Sequence, residues 1–197
     1  EGNDLETAVA RAQRGIALGA KGHEHGALHL LQADAHRWRG EFAEMQRCAS
    51  VAIHALPRGE SAWCKAVAEI AVACRALGAY DQLVAVAEDL SKLQPLPHFE
   101  AAYTEAAART AMQLFIIGWA KHGDALLARL ADSESLLSRT PPGVVAWIQP
   151  ARAFGALYAG DPGAYLSLCE AAAALFEQAG DLRSVANSRV HLGFAYI

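Results

Sequence analysis

The stretch GEFAEMQRCASVAIHALP (residues 40–57) is followed by a second stretch of similar pattern, GAYDQLVAVAEDLSKLQP (residues 78–95). In each stretch a proline follows the first glycine after 17 residues, and the two glycines lie 38 residues apart. Glycine and proline are local stop signals for helices. A repeat of this period is typical of stacked helical hairpins. The two stretches therefore predict a helical-repeat architecture.

Apolar residues before the first glycine recur at helical spacing, since Leu28, Leu31, Ala35 and Trp38 step by three and four. No segment alternates with a convincing period of two, so no sheet is expected. We predict an all-α fold, a right-handed superhelical array of about five antiparallel hairpins in one domain over residues 1–197. The predicted repeats, partial at both ends, are 1–25, 26–57, 58–95, 97–140, 142–180 and 181–197.

Local signals set the expected helix boundaries. Helices are expected to begin at either Asn3 or Asp4 and at Ser61, Asp161 and Asp181, and the short polar side chains of these residues suit the N-cap position. The glycines within residues 19–26 predict a loop.

Three further helices are expected in the second half of the chain. One is predicted from about Pro97 to Ile117 and another from about His122 to Leu137. The next contains Pro150, which predicts a kink or a late start, because an interior proline removes a helical hydrogen bond.

Composition and charge restrict the classes of function. The chain is 53% hydrophobic and 19% charged, so it can bury a core. Its net charge of −4 argues against a nucleic-acid partner, which a basic surface would attract. No apolar run reaches the roughly 18 residues of a membrane span, and no signal peptide is recognisable at the start. Because the first residue is Glu1, we expect a fragment of a longer chain. We expect that longer chain to be cytoplasmic.

The spacing of the cysteines and histidines does not predict a disulfide framework or a complete metal site. The four cysteines form no CxxC pair and are expected to be buried thiols. His23, His25, His29 and His36 are the metal-like cluster, and His25 and His29 have the i, i+4 spacing that suits zinc. No cysteine or carboxylate set completes the cluster, which spans the expected loop. We therefore predict no metal and no cofactor.

The pattern resembles the tetratricopeptide repeat. The motifs that carry the resemblance are Leu192-Gly193 followed by Tyr196, Gly40-Glu41-Phe42 followed by Pro57, and Gly78-Ala79-Tyr80 followed by Pro95. Small residues such as Ala33, Ala71 and Ala52 stand where that family needs close helix contact. The resemblance implies a curved solenoid that binds a partner along the concave surface lined by the first helix of each hairpin.

Two shorter stretches resemble repeat regions of bacterial signalling proteins. Residues 175–181 with His191-Leu192-Gly193 are similar to the repeats that follow signalling ATPases of the maltose-regulator type. Residues 19–22 and 32–40 are similar to the repeat region of bacterial serine/threonine kinase–ATPase fusions. The resemblance implies kinase or ATPase domains of the same full-length chain as partners.

The candidate binding residues follow from the glycine turns. Arg37 and Arg75 each lie three residues before a turn glycine, so stacked repeats would bring them close together. With Asp34 and Lys65 they could receive an acidic peptide, because a guanidinium pairs with carboxylates through a planar fork. Trp38 is the candidate aromatic anchor. The alternative is a solvated helix face without a ligand.

The peptide-carboxylate clamp of the tetratricopeptide family is not expected. It needs Lys and Asn at first-helix positions that hold Leu30 and Asp34 in one repeat, and Ala68 and Val72 in the next.

The functional prediction is a non-catalytic interaction scaffold or sensor segment that binds a peptide or helix in its groove. No GxSxG, GK[ST] phosphate loop or paired acid and base supports an enzyme. One alternative is a small-molecule-sensing array that regulates an attached ATPase or kinase through a closed apolar pocket. A second is self-association, as a homodimer through the terminal helices.

Overall fold

The computed structural model describes residues 4–131 and 141–196, and this part of the chain is all-helical, without a strand. Its helices pack against their neighbours in the chain. The all-α prediction is therefore confirmed. The helices are α1 (Leu5–Ala17), α2 (Gly22–Arg39), α3 (Phe42–Ala55), α4 (Ser61–Leu77), α5 (Tyr80–Lys92), α6 (Glu100–Ile116), α7 (Ala120–Ala131), α8 (Pro142–Tyr158), α9 (Pro162–Gln178) and α10 (Leu182–Ala195), with a 3₁₀ turn at Pro97–Phe99 before α6.

The two glycines of the repeated stretches end helices in the same conformation. Gly40 ends α2 with a φ of 73°, and Gly78 ends α4 with a φ of 74°. The residue after each glycine donates its N–H to a carbonyl of the last helical turn, from Glu41 to His36 and from Ala79 to Cys74. This left-handed cap suits glycine, which has no Cβ to clash. The repeated sequence signal therefore produces a repeated turn.

Aspartates cap three of the helices as predicted. The Oδ1 atoms of Asp4, Asp161 and Asp181 accept hydrogen bonds from backbone N–H groups three residues later, at 2.9, 2.9 and 3.1 Å. The prediction for Ser61 is wrong by one residue, because Glu60 holds the N-cap position and Ser61 is already helical. Gly59, with a φ of 87°, turns the chain immediately before this start.

The loop predicted for residues 19–26 is wrong, since α2 begins at Gly22. Gly26 lies inside the helix, where a Cβ would come within 2.8 Å of the Leu56 side chain. Its role is therefore close packing of α2 against the end of α3 and not a turn.

The predicted helix from Pro97 is confirmed as a 3₁₀ turn leading into α6. The helix predicted over 122–137 is found as α7 up to Ala131, and its remainder lies outside the described residues. The late start predicted at Pro150 is wrong. Helix α8 begins with Pro142 in its first turn, where a proline has no intrahelical N–H bond to lose, and continues through Pro150 in its interior. The kink expected at Pro150 stays a prediction.

The chain forms two compact units, one within residues 1–86 and 93–106 and the other within 87–92 and 107–197. In the first unit, Met45, Cys48 and Ile70 are among the buried core side chains. Helix α4 is rich in buried alanines, so its neighbours approach closely. The prediction of one domain over the whole chain stays a prediction.

The second unit contains two apolar clusters formed by its last three helices. One gathers Ala146, Ala172, Phe176 and Val185, and the Trp147 ring meets the Phe176 ring edge to face at 5.1 Å. The other gathers Ala153, Tyr165 and Cys169. Both clusters contain residues of α8 and α9, so these two helices pack together at two places.

The four cysteines are buried and free, as predicted. Within residues 4–131 and 141–196, no helix has the length and apolarity that a membrane crossing requires.

Candidate binding face on helix α2

The predicted binding residues lie on two helices that pack against each other in the first unit. Asp34, Arg37 and Trp38 belong to the last turns of α2, and Lys65 and Arg75 belong to α4. Helices α2 and α4 are in contact although α3 separates them in the chain. Such packing of first helices is what stacked hairpins require.

Arg37 is the centre of a charge cluster. Its Nη2 donates a hydrogen bond to Asp34 Oδ1 at 2.8 Å, and its Nε lies 3.0 Å from Glu69 Oε2 of α4. The guanidinium carbon lies 4.2 Å from the centre of the Trp38 ring. A planar guanidinium can stack on an aromatic face while its edge binds carboxylates. Asp34, Arg37 and Trp38 are thus in contact, and their role in binding stays a prediction.

Glu69 is the functional neighbour that sequence reasoning missed. Its side chain is buried, whereas the Asp34 side chain is 44% exposed. The Nε of Arg37 and the Oε2 of Glu69 form an ion pair that lacks the alignment of a hydrogen bond. A signal existed in the sequence, because Glu69 is a lone carboxylate within the apolar run of α4. A buried carboxylate requires a partner charge.

One side of α2 carries a partly exposed stripe. Leu31, Asp34 and Trp38 are spaced three and four residues apart, so they lie on one helix face. Leu31 is 47% exposed, and Asp34 and Trp38 are half-buried. We call these three residues the α2 stripe. It places an apolar side chain and an aromatic ring on either side of a carboxylate.

The two α4 candidates differ in their surroundings. Lys65 is exposed, whereas Arg75 is half-buried in the last turn of α4. The contacts given above for Arg37 involve Asp34, Glu69 and Trp38, and the expected proximity of Arg37 to Arg75 stays a prediction.

Polar contacts hold the turn between α2 and α3. His36 Nδ1 lies 2.6 Å from Glu41 Oε2, and Arg39 Nη2 lies 2.8 Å from Glu41 Oε1. The hydrogen bond with His36 is the main cause that holds the pKa of Glu41 below its usual value, with Arg39 assisting. The carboxylate therefore stays charged and ties the end of α2 to the start of α3.

A groove lies between the end of α1 and the start of α2 and encloses about 600 Å³. Its walls are Gly15, Leu18, Gly19, Ala20, His23, Glu24, Ala27 and Leu28. Leu18 is 79% exposed, so the groove is open at this edge. The small-molecule hypothesis expected a closed apolar pocket, and this groove does not have that form.

The cysteine thiols have raised pKa values, and burial is the main cause at each of them. For Cys64, burial and the neighbouring Glu105 raise the pKa to about 11. A thiol with a raised pKa is a poor nucleophile at neutral pH. The described residues contain no group of three or more His, Cys, Asp or Glu side chains placed to hold a metal ion. The predictions of no enzyme activity, no metal and no cofactor stay predictions.

Comparison with known proteins gives no match: no protein-family model, no curated protein and no solved structure matches this chain. The resemblance to the tetratricopeptide repeat therefore stays a proposal.

Proposed function

We propose that this chain is a segment of a right-handed, tetratricopeptide-like solenoid that acts as a non-catalytic scaffold in a larger cytoplasmic signalling protein. Three findings support the proposal: packing of consecutive helices, contact between α2 and α4, and identical caps at Gly40 and Gly78. Attached kinase or ATPase domains are the proposed neighbours in the full chain.

The α2 stripe is the observation that carries the proposed binding role. Leu31 and Trp38 offer apolar contact area, and side chains of this kind anchor peptide interfaces. Lys65 lies exposed on the adjacent helix and supplies positive charge for an acidic residue of the ligand. Arg37 is held in place by Glu69, so its remaining N–H donors are oriented before a ligand binds. The proposed ligand is therefore a short peptide or helix with one apolar anchor and acidic residues.

Selection from a displayed random-peptide library tests this role. The selected peptides are expected to combine an apolar residue with acidic residues and to bind the wild-type chain. Leu31→Glu is expected to weaken their binding by roughly tenfold or more, since it places a charge at the apolar anchor. Titration calorimetry with the selected peptides provides the measurement.

Leu18→Glu is the matched control, because Leu18 is also an exposed leucine of the first unit but lies outside the α2 stripe. It is expected to bind the selected peptides as the wild type does. Equal affinities for wild type and Leu31→Glu would remove the α2 stripe as the binding face.

Self-association is a second candidate, and helix α10 favours it. Four of its apolar side chains are exposed: Leu182 (77%), Val190 (55%), Phe194 (65%) and Tyr196, its C-cap residue (72%). Val190 and Phe194 are one helical turn apart and share a face. An exposed apolar face of this kind is typical of an interface. The proposed occupant is α10 of a second copy, in a two-fold contact.

Sedimentation velocity tests the dimer. A dimer through α10 is expected to dissociate at higher dilution and to be abolished by Phe194→Glu. Leu157→Glu, at an exposed leucine of α8, is the control and should leave the dimer intact. A monomeric wild-type chain at high concentration would end the self-association hypothesis.

A further inference from the structure

Two histidines lie one helical turn apart on α2. His25 and His29 belong to the continuous helix that replaces the expected loop. Their ring centres are 4.5 Å apart, and the ring planes meet at 70°. They are the only histidines in the sequence at an i, i+4 spacing. The helix therefore holds two imidazoles side by side.

We propose that His25 and His29 form a two-ligand site for a divalent transition ion of the zinc type. The proposal is independent of the binding role assigned to the α2 stripe. Imidazole nitrogen is a preferred ligand of Zn²⁺ and its neighbours in the first transition series. Since the described residues offer no third protein ligand, water completes the coordination.

The distance between the rings suits a shared ion. A tetrahedral ion about 2.0–2.1 Å from one nitrogen of each ring holds the ring centres roughly 5 Å apart. The observed separation is 4.5 Å and the rings meet edge to face, so the side chains rotate before one nitrogen of each ring faces the ion.

His29 has an unsatisfied polar atom in its ring. The residue is 8% exposed, and its buried Nδ1 has no hydrogen-bond partner. A buried polar atom without a partner requires an explanation, and a bound ion is one of the accepted explanations. Ring packing alone explains the contact with His25 but leaves Nδ1 unsatisfied.

The charges around His29 act in opposite directions. Burial is the main cause that lowers the pKa of His29, followed by His25 and Arg47. The Arg47 charge opposes a cation, and Glu44 offsets part of it through a contact of 2.8 Å. The site is therefore expected to bind more weakly than one with four protein ligands.

Titration calorimetry with Zn²⁺ alone tests the site. The wild-type chain is expected to bind one equivalent, and Mg²⁺, a hard ion that prefers oxygen, is not expected to bind there. His25→Gln is the main variant, because His25 is half-buried and its replacement should leave the fold intact. Loss of a residue that only supports a metal ligand lowers metal affinity by roughly 10–100-fold. His25→Gln removes a ligand itself, so it is expected to lower the Zn²⁺ affinity by at least this factor.

His23→Gln is the matched control, since His23 is an exposed histidine of the same helix, two residues away. It should bind Zn²⁺ as the wild type does. Thermal unfolding adds a second readout, because an ion that binds the folded state raises its unfolding temperature. This rise is expected in the wild type and His23→Gln and not in His25→Gln. Absence of Zn²⁺ binding in the wild type, or equal binding in His25→Gln, would overturn the proposal.

Discussion

At the scale of single residues, the contact between Arg37 and Glu69 determines how the candidate face can work. Glu69 is only 3% exposed, so its carboxylate requires a cation beside it. Asp34 approaches the same guanidinium from the surface side. The two carboxylates therefore have different roles, since one is buried in the interface between α2 and α4 and the other is available for exchange with a ligand.

Glu69→Ala should destabilise the chain far more than Asp34→Ala. Removing one partner of a buried ion pair costs about 3–5 kcal/mol, and we expect about 2–3 kcal/mol here because Arg37 retains Asp34 and is partly exposed. Asp34→Ala should cost less than about 1 kcal/mol, as exposed pairs do. Urea unfolding provides the measurement. Equal losses in the two variants would contradict the assignment of Glu69 as the buried partner.

The Cys64 thiol makes stability dependent on alkaline pH. Its folded-state pKa is raised from 9.0 to about 11, so the folded chain keeps this proton more tightly than the unfolded chain. The protonated Cys64 thiol contributes its full share of the free energy of unfolding below pH 9. This share is lost as the pH rises towards 11, because the unfolded state releases the proton first.

We therefore expect the free energy of unfolding to decrease between pH 9 and pH 11, the unfolded and folded pKa values of Cys64. Cys64→Ala should show a shallower decrease, since it retains the other thiols and loses this one. Urea unfolding at several pH values gives the comparison. Parallel pH profiles for the two proteins would be inconsistent with this origin.

At the scale of helices and turns, the glycine caps connect the sequence repeat to the fold. Gly40 and Gly78 have nearly identical dihedral angles and equivalent hydrogen bonds, although the residues around them differ. Gly193 belongs to one of the motifs that resemble the tetratricopeptide repeat, but it lies inside α10 with open space around it. Glycine is thus needed for its backbone conformation at Gly40 and Gly78. At Gly193 neither the backbone conformation nor close packing requires glycine.

Gly40→Ala and Gly78→Ala should each lower the free energy of unfolding by about 1 kcal/mol, because an L-residue is strained in the left-handed region. Gly193→Ala should have the opposite effect and stabilise the chain by roughly 0.5–1 kcal/mol, the difference in helix propensity. Thermal and urea unfolding of the three variants would measure both signs. A stabilising Gly40→Ala would contradict the role assigned to the cap.

At the scale of the whole molecule, the core is distributed among neighbouring helices. Each unit has its own buried side chains, such as Met45 in the first and Phe176 in the second. In a solenoid of the kind proposed above, stability is approximately a sum of contributions from each hairpin and its neighbours. Damage to one unit is therefore expected to remain partly local.

Hydrogen exchange with mass spectrometry tests this expectation. Phe176→Ala should cost about 3–5 kcal/mol and accelerate exchange in α8 to α10, while α2 to α4 keep most of their protection. Met45→Ala, which also removes a fully buried side chain, should give the reverse pattern. Uniform acceleration along the chain in both variants would indicate a single cooperative unit.

The helix ends were predictable to different degrees. The breaks at Gly40 and Gly78 and the caps at Asp4, Asp161 and Asp181 depend on residues within one helical turn. The start of α2 was not predictable in this way, because Gly26 is in the helix for its contact with Leu56. A glycine pattern alone does not distinguish a turn from a close approach of two helices.

Helices, their capped ends and the repeated turns follow from the linear order of residues, since helical hydrogen bonds and glycine caps connect groups only a few positions apart. The closeness of Asp34 to Arg37 and to Trp38, three and four residues further on, also follows from helical periodicity. The pairing of Arg37 with Glu69 and the effect of the Arg47 charge on His29 arise only when α2 packs against α4 and α3. Charges on separate helices meet at distances set by packing, and packing is determined by the complete set of apolar contacts in three dimensions.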